Sequence, residues 1–304
     1  MRRFILAVTL LAVGVVQATA ALAEGTIRVA YAGSMGVVMD RVLGPEFAKA
    51  NSAQYQGTGQ GSYGLARLLA AKQIQADVFV SVTDGPIKVL EKAGLVDRAV
   101  PIASTQMVIA YSPKSRFATQ LKAAADGETP WWQVLETPGL RFGRTDPTTD
   151  PQGRNIIFTM LLAQRYYRQP DLVSKIMGPY QNPAQIFSEP SLLSRLESGQ
   201  LDASSGYQSA TKSHHLPYIP LPDEINLSNP ALDAAWYSKA HFTIRLRTGK
   251  EATLSPEPLV FYAAVLKNAP DPSLAAKFVQ LLQSPQGQKA LQDNGYAPPS
   301  GGDV

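Results

Sequence analysis

The sequence predicts an α/β protein of two lobes, each a mostly parallel sheet flanked by helices, with a ligand cleft between them. Three observations carry the prediction. Apolar runs that read as strands alternate with segments of helical periodicity along most of the chain. About 280 residues follow a short N-terminal leader, more than one typical domain holds. Serine-bearing turns stand where strands run into helices, the end of such sheets at which ligands collect.

The leader comes first. Arg2 and Arg3 precede an apolar run from Phe4 to Val16, and Ala18 to Glu24 is rich in small residues. This is the layout of a secretory signal peptide, expected over residues 1–23 with cleavage at Ala21-Leu22-Ala23. The run is shorter than the roughly 20 residues that span a bilayer, and no second candidate span follows. A soluble, exported protein is expected. The sequence has no cysteine, which excludes disulfides, a lipid-modified N-terminal cysteine, thiolate metal sites and cysteine nucleophiles. A bacterial periplasm fits that composition better than a tethered surface protein. With Arg2 and Arg3 removed, 26 basic residues face 24 acidic ones, so the charge is not the footprint of a nucleic-acid binder.

In the first lobe, Ile27-Arg28-Val29-Ala30-Tyr31-Ala32 reads as a strand entering the turn Gly33-Ser34-Met35. Met35, Val38, Met39, Val42 and Leu43 then repeat at helical spacing. Ser34 thus stands at a helix N-terminus, where unpaired N–H groups and a partial positive charge can receive an anion. Taken alone, a serine there equally serves as a cap. Gly44-Pro45 interrupts the pattern. A glycine-rich loop, Gly57 to Gly64, leads into Leu65, Leu68 and Leu69, so Ser62 repeats the placement of Ser34. The G-x-G-x-x-G match from Gly59 to Gly64 is not read as a dinucleotide fingerprint. The strand before it is weak, and Asp77 stands at the start of the next strand rather than at a strand end. Ala76 to Val82 is a buried strand, and its Ser81 is a third serine expected near the cleft.

Met107 to Tyr111 is taken as the crossing into the second lobe, giving lobe I as 24–107 plus 216–304 and lobe II as 108–215. Trp131-Trp132 reads as core or as a lobe-surface helix. Arg141 to Gly153 leads into a helix with Asp150 as N-cap and Pro151 at the first position. Capping explains Asp150 structurally; the functional reading is that this helix end faces a ligand. Pro190 to Gly199 is a short helix with a glycine stop, and Leu201 to Tyr207 is a strand returning to the cleft, where the Tyr207 hydroxyl can meet a ligand or merely end a strand. His214, His215 and His241 do not make a metal-cation site.

The pieces Ala32-Gly33-Ser34-Met35, Gly61-Ser62, Ala76-Asp77-Val78-Phe79, Asp146-Pro147, Asp150-Pro151-Gln152-Gly153, Leu201-Asp202 through Tyr207, Leu221 to Leu227 and Ser284 to Gln288 together resemble one family. It is that of the extracellular solute-binding proteins of ABC transporters, in particular the molybdate/tungstate-binding members. The resemblance covers nearly the whole chain after the leader. It implies the type II periplasmic-binding-protein fold, closure on an oxyanion such as molybdate or tungstate, no cofactor, and delivery by a periplasmic monomer to an ABC transporter permease in the inner membrane. Ser34 and Ser62 match the family's oxyanion-binding serines, Asp150 a carboxylate of the tungstate-type subgroup, and Tyr207 a tyrosine near the ligand. In that subgroup a second carboxylate, a glutamate expected just before the tyrosine, helps complete a six-coordinate metal; here that position is Gly206. Its loss would favour a four-coordinate anion held by hydrogen bonds alone.

Neutral donors suffice for such an anion, because each hydrogen bond to a charged group contributes about 1.5–3 kcal/mol. Asp150 is the awkward member, a carboxylate beside an anion unless it caps its helix, is protonated or bonds the metal; Arg144 and Arg154 are candidates to offset its charge. Two other readings stand beside this one. Sulfate, phosphate or a small organic anion could fill the same fold. An exported hydrolase using Ser62 is the third, against which Gln60 breaks the G-x-S-x-G pattern.

Overall fold

The computed structural model describes residues 25–246 and 249–304; the expected signal peptide and its cleavage site lie outside them. Eleven strands are described: β1 Gly25–Ala32, β2 Ala53–Gln60, β3 Val78–Val82, β4 Val100–Ser104, β5 Met107–Tyr111, β6 Phe142–Gly143, β7 Ala203–Tyr207, β8 Tyr218–Ile219, β9 Phe242–Arg245, β10 Glu251–Leu254 and β11 Val260–Val265. They form a five-stranded sheet in the order β2-β1-β3-β11-β4, a four-stranded sheet in the order β6-β7-β5-β8, and the hairpin β9–β10.

The two-lobed α/β architecture is as the sequence predicts, but the sheets are mixed rather than mostly parallel. β1 runs parallel to β2 and β3, while β11 is antiparallel to both β3 and β4. In the second sheet β6 is parallel to β7, and β5 is antiparallel to β7 and β8. The reversed strands are the ones beside the two passages of the chain between sheets. An apolar run such as Met107 to Tyr111 reads the same in either direction, so periodicity carries no sign of it.

The passages lie side by side. Residues 105–106 leave the first sheet, residues 255–259 return to it, and the Thr105 N–H bonds the Leu259 carbonyl at 3.0 Å. The second lobe therefore extends to about residue 254, and 216–254 moves from lobe I, where the sequence reading put it, to lobe II. β8 pairs with β5, and Phe242 of the hairpin packs on Phe158 and Tyr180. Two-residue β8 is too short to show a period, which is why the boundary was not legible.

Helical structure from Gly33 to Asn51 is continuous through Gly44-Pro45, where an interruption is expected. Met39–Leu43 forms a π-helical turn, and the Gly44 N–H bonds the Met39 carbonyl. Pro45 lacks the N–H that an α-helix would need at that point, and the wider turn absorbs the misfit. The glycine-rich segment is likewise not a loop: Gly57 and Gly59 belong to β2, in register with Val29 and Tyr31. A side chain at Gly59 would lie 2.6 Å from the Tyr31 ring, so glycine here lets a strand pass over an aromatic residue. Asp77 accepts the N–H groups of Arg28 and Asp271 and is fully buried, a structural role that accounts for it without a nucleotide. Ser81 is buried in β3 with its hydroxyl bonded to the Val82 and Thr83 carbonyls, so it takes no part in the cleft.

Candidate functional site

The ends of β1 and β2 deliver Ser34 and Ser62 to helix starts on lobe I. Both are buried, and neither hydroxyl has a hydrogen-bond partner among the described residues. Buried hydroxyls are nearly always paired, because leaving one unsatisfied costs about 1–3 kcal/mol. Neither serine caps its own helix through its side chain, so capping does not explain them. Position 34 is fixed further by the Tyr296 hydroxyl, which donates to the Ser34 carbonyl at 3.1 Å.

Lobe II meets these turns with carboxylates. Asp150 caps the helix Pro151–Tyr166, its Oδ1 accepting the Gln152 N–H at 2.9 Å. Its other oxygen faces lobe I: a Cβ built on Gly61 would stand 3.1 Å from Asp150 Oδ2. Burial pushes the Asp150 carboxyl up to about 6; the Gln152 N–H, nearby Thr145 and the Arg154 charge pull against that rise. Thr145 Oγ1 itself is buried and makes no hydrogen bond of sound geometry.

The second carboxylate is Glu189, the first residue of the helix Glu189–Ser198 and buried. A Cβ on Gly33 would lie 3.1 Å from Glu189 Oε2. Gln152 Nε2 donates to Glu189 Oε1 at 2.7 Å, and Ser205 Oγ donates to Gln152 Oε1 at 2.8 Å. Desolvation and the Asp150 charge hold the Glu189 carboxyl well above its ordinary value, with the Ser34 N–H and Gln152 opposing. Position 206 is glycine, as the sequence shows, but Glu189 brings a second buried carboxylate beside Asp150. On β7, alternate residues face opposite sides, so Ser205 and Tyr207 face the site and Gly206 faces away. A Cβ at Gly206 would meet Thr211, Ala110 and Val108. Sequence reading missed Glu189 because it began that helix at Pro190, one residue late; an acidic residue in a helix's first turn was the available signal.

Tyr207 is fully buried and accepts the Asn155 amide at 3.0 Å, and the charges of Asp150 and Glu189 add to the burial that raises its hydroxyl pKa. All four sequence-predicted residues therefore converge at one seam, joined by Glu189, Gln152 and Asn155. Arg144 does not join them: it is buried against the Pro179 and Tyr180 carbonyls. Arg154 donates to the Pro147 carbonyl and lies 3.5 Å over the Tyr63 ring, bridging the lobes. His214 pairs with Glu197 at 2.7 Å.

A cavity of about 950 Å³ opens onto the seam, and Gly61, Thr145, Asp150 and Glu189 are among the residues that line it. Beside it the lobes touch through the Gly64 N–H to the Thr149 carbonyl at 2.9 Å and Arg67 Nη2 to the Thr148 carbonyl at 2.8 Å. Among the described residues no helix is long and apolar enough to cross a membrane.

Comparison with known proteins follows the same lines. The profile of the bacterial extracellular solute-binding proteins matches residues 27–297. The molybdate/tungstate-binding protein of Thermococcus kodakarensis is 30% identical over 89% of this chain and 81% of its own length. That of Pyrococcus abyssi is 31% identical over 87% and 82%. Among solved structures, the periplasmic molybdate-binding protein of Azotobacter vinelandii superposes with a TM-score of 0.59 at 15% identity, over 90% of this chain and all of that one. The sulfate-binding protein of Mycobacterium tuberculosis gives 0.55 at 16%, over 90% and 87%. At such identities the superpositions speak to the fold alone.

Proposed function

The chain belongs to the bacterial extracellular solute-binding proteins, and from that premise we propose that it is the periplasmic component of an ABC importer and binds molybdate or tungstate between its lobes. The observation that carries this reading is the pairing at the seam: two buried, partnerless serine hydroxyls on one lobe opposite two buried carboxylates on the other. The hydroxyls and the adjoining helix-start N–H groups suit the oxo oxygens of a tetrahedral anion. Two ionised carboxylates would repel such an anion unless they bond to its centre. Hexavalent molybdenum and tungsten accept hard oxygen ligands beyond four; the sulfur of sulfate does not. Asp150 and Glu189 supply those two oxygens, and Tyr207 with Asn155 closes the floor. Lobe closure is a hinge at the paired passages 105–106 and 255–259.

The raised carboxyls favour one rival specifically. Protonated, Asp150 and Glu189 would donate hydrogen bonds to sulfate or phosphate instead. The hydrolase reading gains nothing, since Ser62 Oγ has no base bonded to it as nucleophile activation requires. Thermal shift across a panel of anions tests the assignment, because a ligand at 100 times its Kd adds about 2.7 kcal/mol. Molybdate and tungstate are expected to raise the melting temperature. A rise with sulfate or phosphate and none with the metal oxyanions would overturn the reading.

A further inference from the structure

Each carboxylate at the seam has two oxygens, and one residue takes one oxygen from each. The Gln152 backbone N–H holds Asp150 Oδ1 at 2.9 Å, and the Gln152 side-chain amide holds Glu189 Oε1 at 2.7 Å. The other two oxygens, Asp150 Oδ2 and Glu189 Oε2, are the ones nearest Gly61 and Gly33, the turns that carry Ser62 and Ser34, and the Ser34 N–H also acts on the Glu189 carboxylate. The amide is anchored in turn. Ser205 Oγ, on β7 two residues before Tyr207, bonds Gln152 Oε1 at 2.8 Å, which leaves the NH2 group to face the carboxylate. Gln152, Ser205 and Glu189 are all buried, so water does not substitute for any of these bonds. A carboxylate with both oxygens free can chelate, rotate or turn away, whereas one pinned by a buried donor presents a single oxygen in a fixed direction.

We infer that Gln152, anchored by Ser205, is a positioning residue that makes Asp150 and Glu189 each present one outward oxygen to the bound anion, and that it thereby sets the preference for metal-centred oxyanions over sulfate. The inference rests on the ligand reading above. It concerns the support of the two carboxylates, and no contact between Gln152 and the ligand is required.

The test compares wild type with Gln152→Met, which keeps length and loses the donor, and Ser205→Ala, which frees the amide. Calorimetric titrations with tungstate and with sulfate give the affinity ratio, and tungsten L-edge X-ray absorption of the tungstate-loaded protein gives the coordination. Gln152→Met is expected to weaken tungstate by about 10- to 100-fold, the usual effect of losing a supporting partner to a ligating group. Sulfate affinity is expected to change little, and the absorption edge to move toward that of the free tetrahedral anion. Ser205→Ala is expected to move both readouts the same way and less far, and it carries the test should Gln152→Met fail to fold. A folded Gln152→Met with wild-type tungstate affinity and spectrum overturns the inference, as does equal weakening of tungstate and sulfate, the mark of a merely structural role. Wild-type protein that takes up neither tungstate nor molybdate would instead overturn the ligand reading, and the positioning role with it.

Discussion

The two halves of the seam are built on opposite principles. Lobe I contributes hydroxyls that nothing among the described residues satisfies, Ser34 and Ser62, each at the start of a helix. Lobe II contributes carboxylates and an amide that are already engaged with one another through Gln152 and Ser205. One half is poised to donate and is neutral; the other is acidic and internally braced. An anion pocket made of two halves like the first would hold any tetrahedral oxyanion of the right size. On the proposed reading the second half adds a requirement that the anion's centre accept oxygen, which is a device for choosing among anions rather than for gripping them.

That contrast can be broken most sharply at the carboxylates. Glu189→Gln or Asp150→Asn is expected to lower molybdate and tungstate affinity by at least about 100-fold, near 3 kcal/mol, while sulfate affinity holds or rises; calorimetric titration reads both. A loss shared equally by all anions would place the carboxylates with the gripping half.

Protonation probes the same half. The Asp150 carboxyl is raised from 3.8 to about 6, and Glu189 is raised as well, chiefly by burial. The folded protein thus holds protons that the unfolded chain releases. Their stabilisation is complete below the unfolded values and is lost as pH rises through about 6, on the order of 3 kcal/mol for Asp150 alone. The melting temperature of the ligand-free protein should therefore fall as pH climbs from about 4 through about 6, with the Asp150 contribution levelling off above that, and the double variant Asp150→Asn/Glu189→Gln should flatten the slope. Affinity for a metal-centred oxyanion should move the other way, strengthening as the carboxylates ionise. Sulfate held by protonated carboxyls would instead weaken, which separates the two ligand readings.

The serines are next in size. Ser34→Ala and Ser62→Ala should each cost about 1.5–3 kcal/mol of binding, for every oxyanion alike. Ligand-free stability should stay level or rise in both, since the removed hydroxyls are buried without partners. Thermal melts with and without ligand measure the pair of effects. A drop in ligand-free stability would show these serines to be structural. Smallest is Arg67→Ala, which removes the interlobe bond to the Thr148 carbonyl at the cavity wall. It should weaken all anions by less than about 1 kcal/mol through the open–closed balance, seen as a few-fold faster dissociation in stopped flow.

Much of this was legible before the fold was known. Turns that end an apolar strand and begin a helical period can be read from Ala32-Gly33-Ser34 and from Gly61-Ser62, and Asp150-Pro151 announces an N-cap. What failed was anything dependent on direction or face. The antiparallel setting of β5 and β11, the membership of 216–254 in the second lobe, and the way Gly206 points are not properties of a local segment.

The sequence alone determined the class of fold, the helix starts and, as candidates, Ser34, Ser62, Asp150 and Tyr207 at the seam, because capping, periodicity and turn residues act over a few neighbours. Tertiary structure alone decided that Glu189, 39 positions beyond Asp150, lies beside it and that Gln152 bonds one oxygen of each. Those relations are distances between elements far apart in the chain, fixed only when two lobes pack a strand and two helix ends around the same cavity.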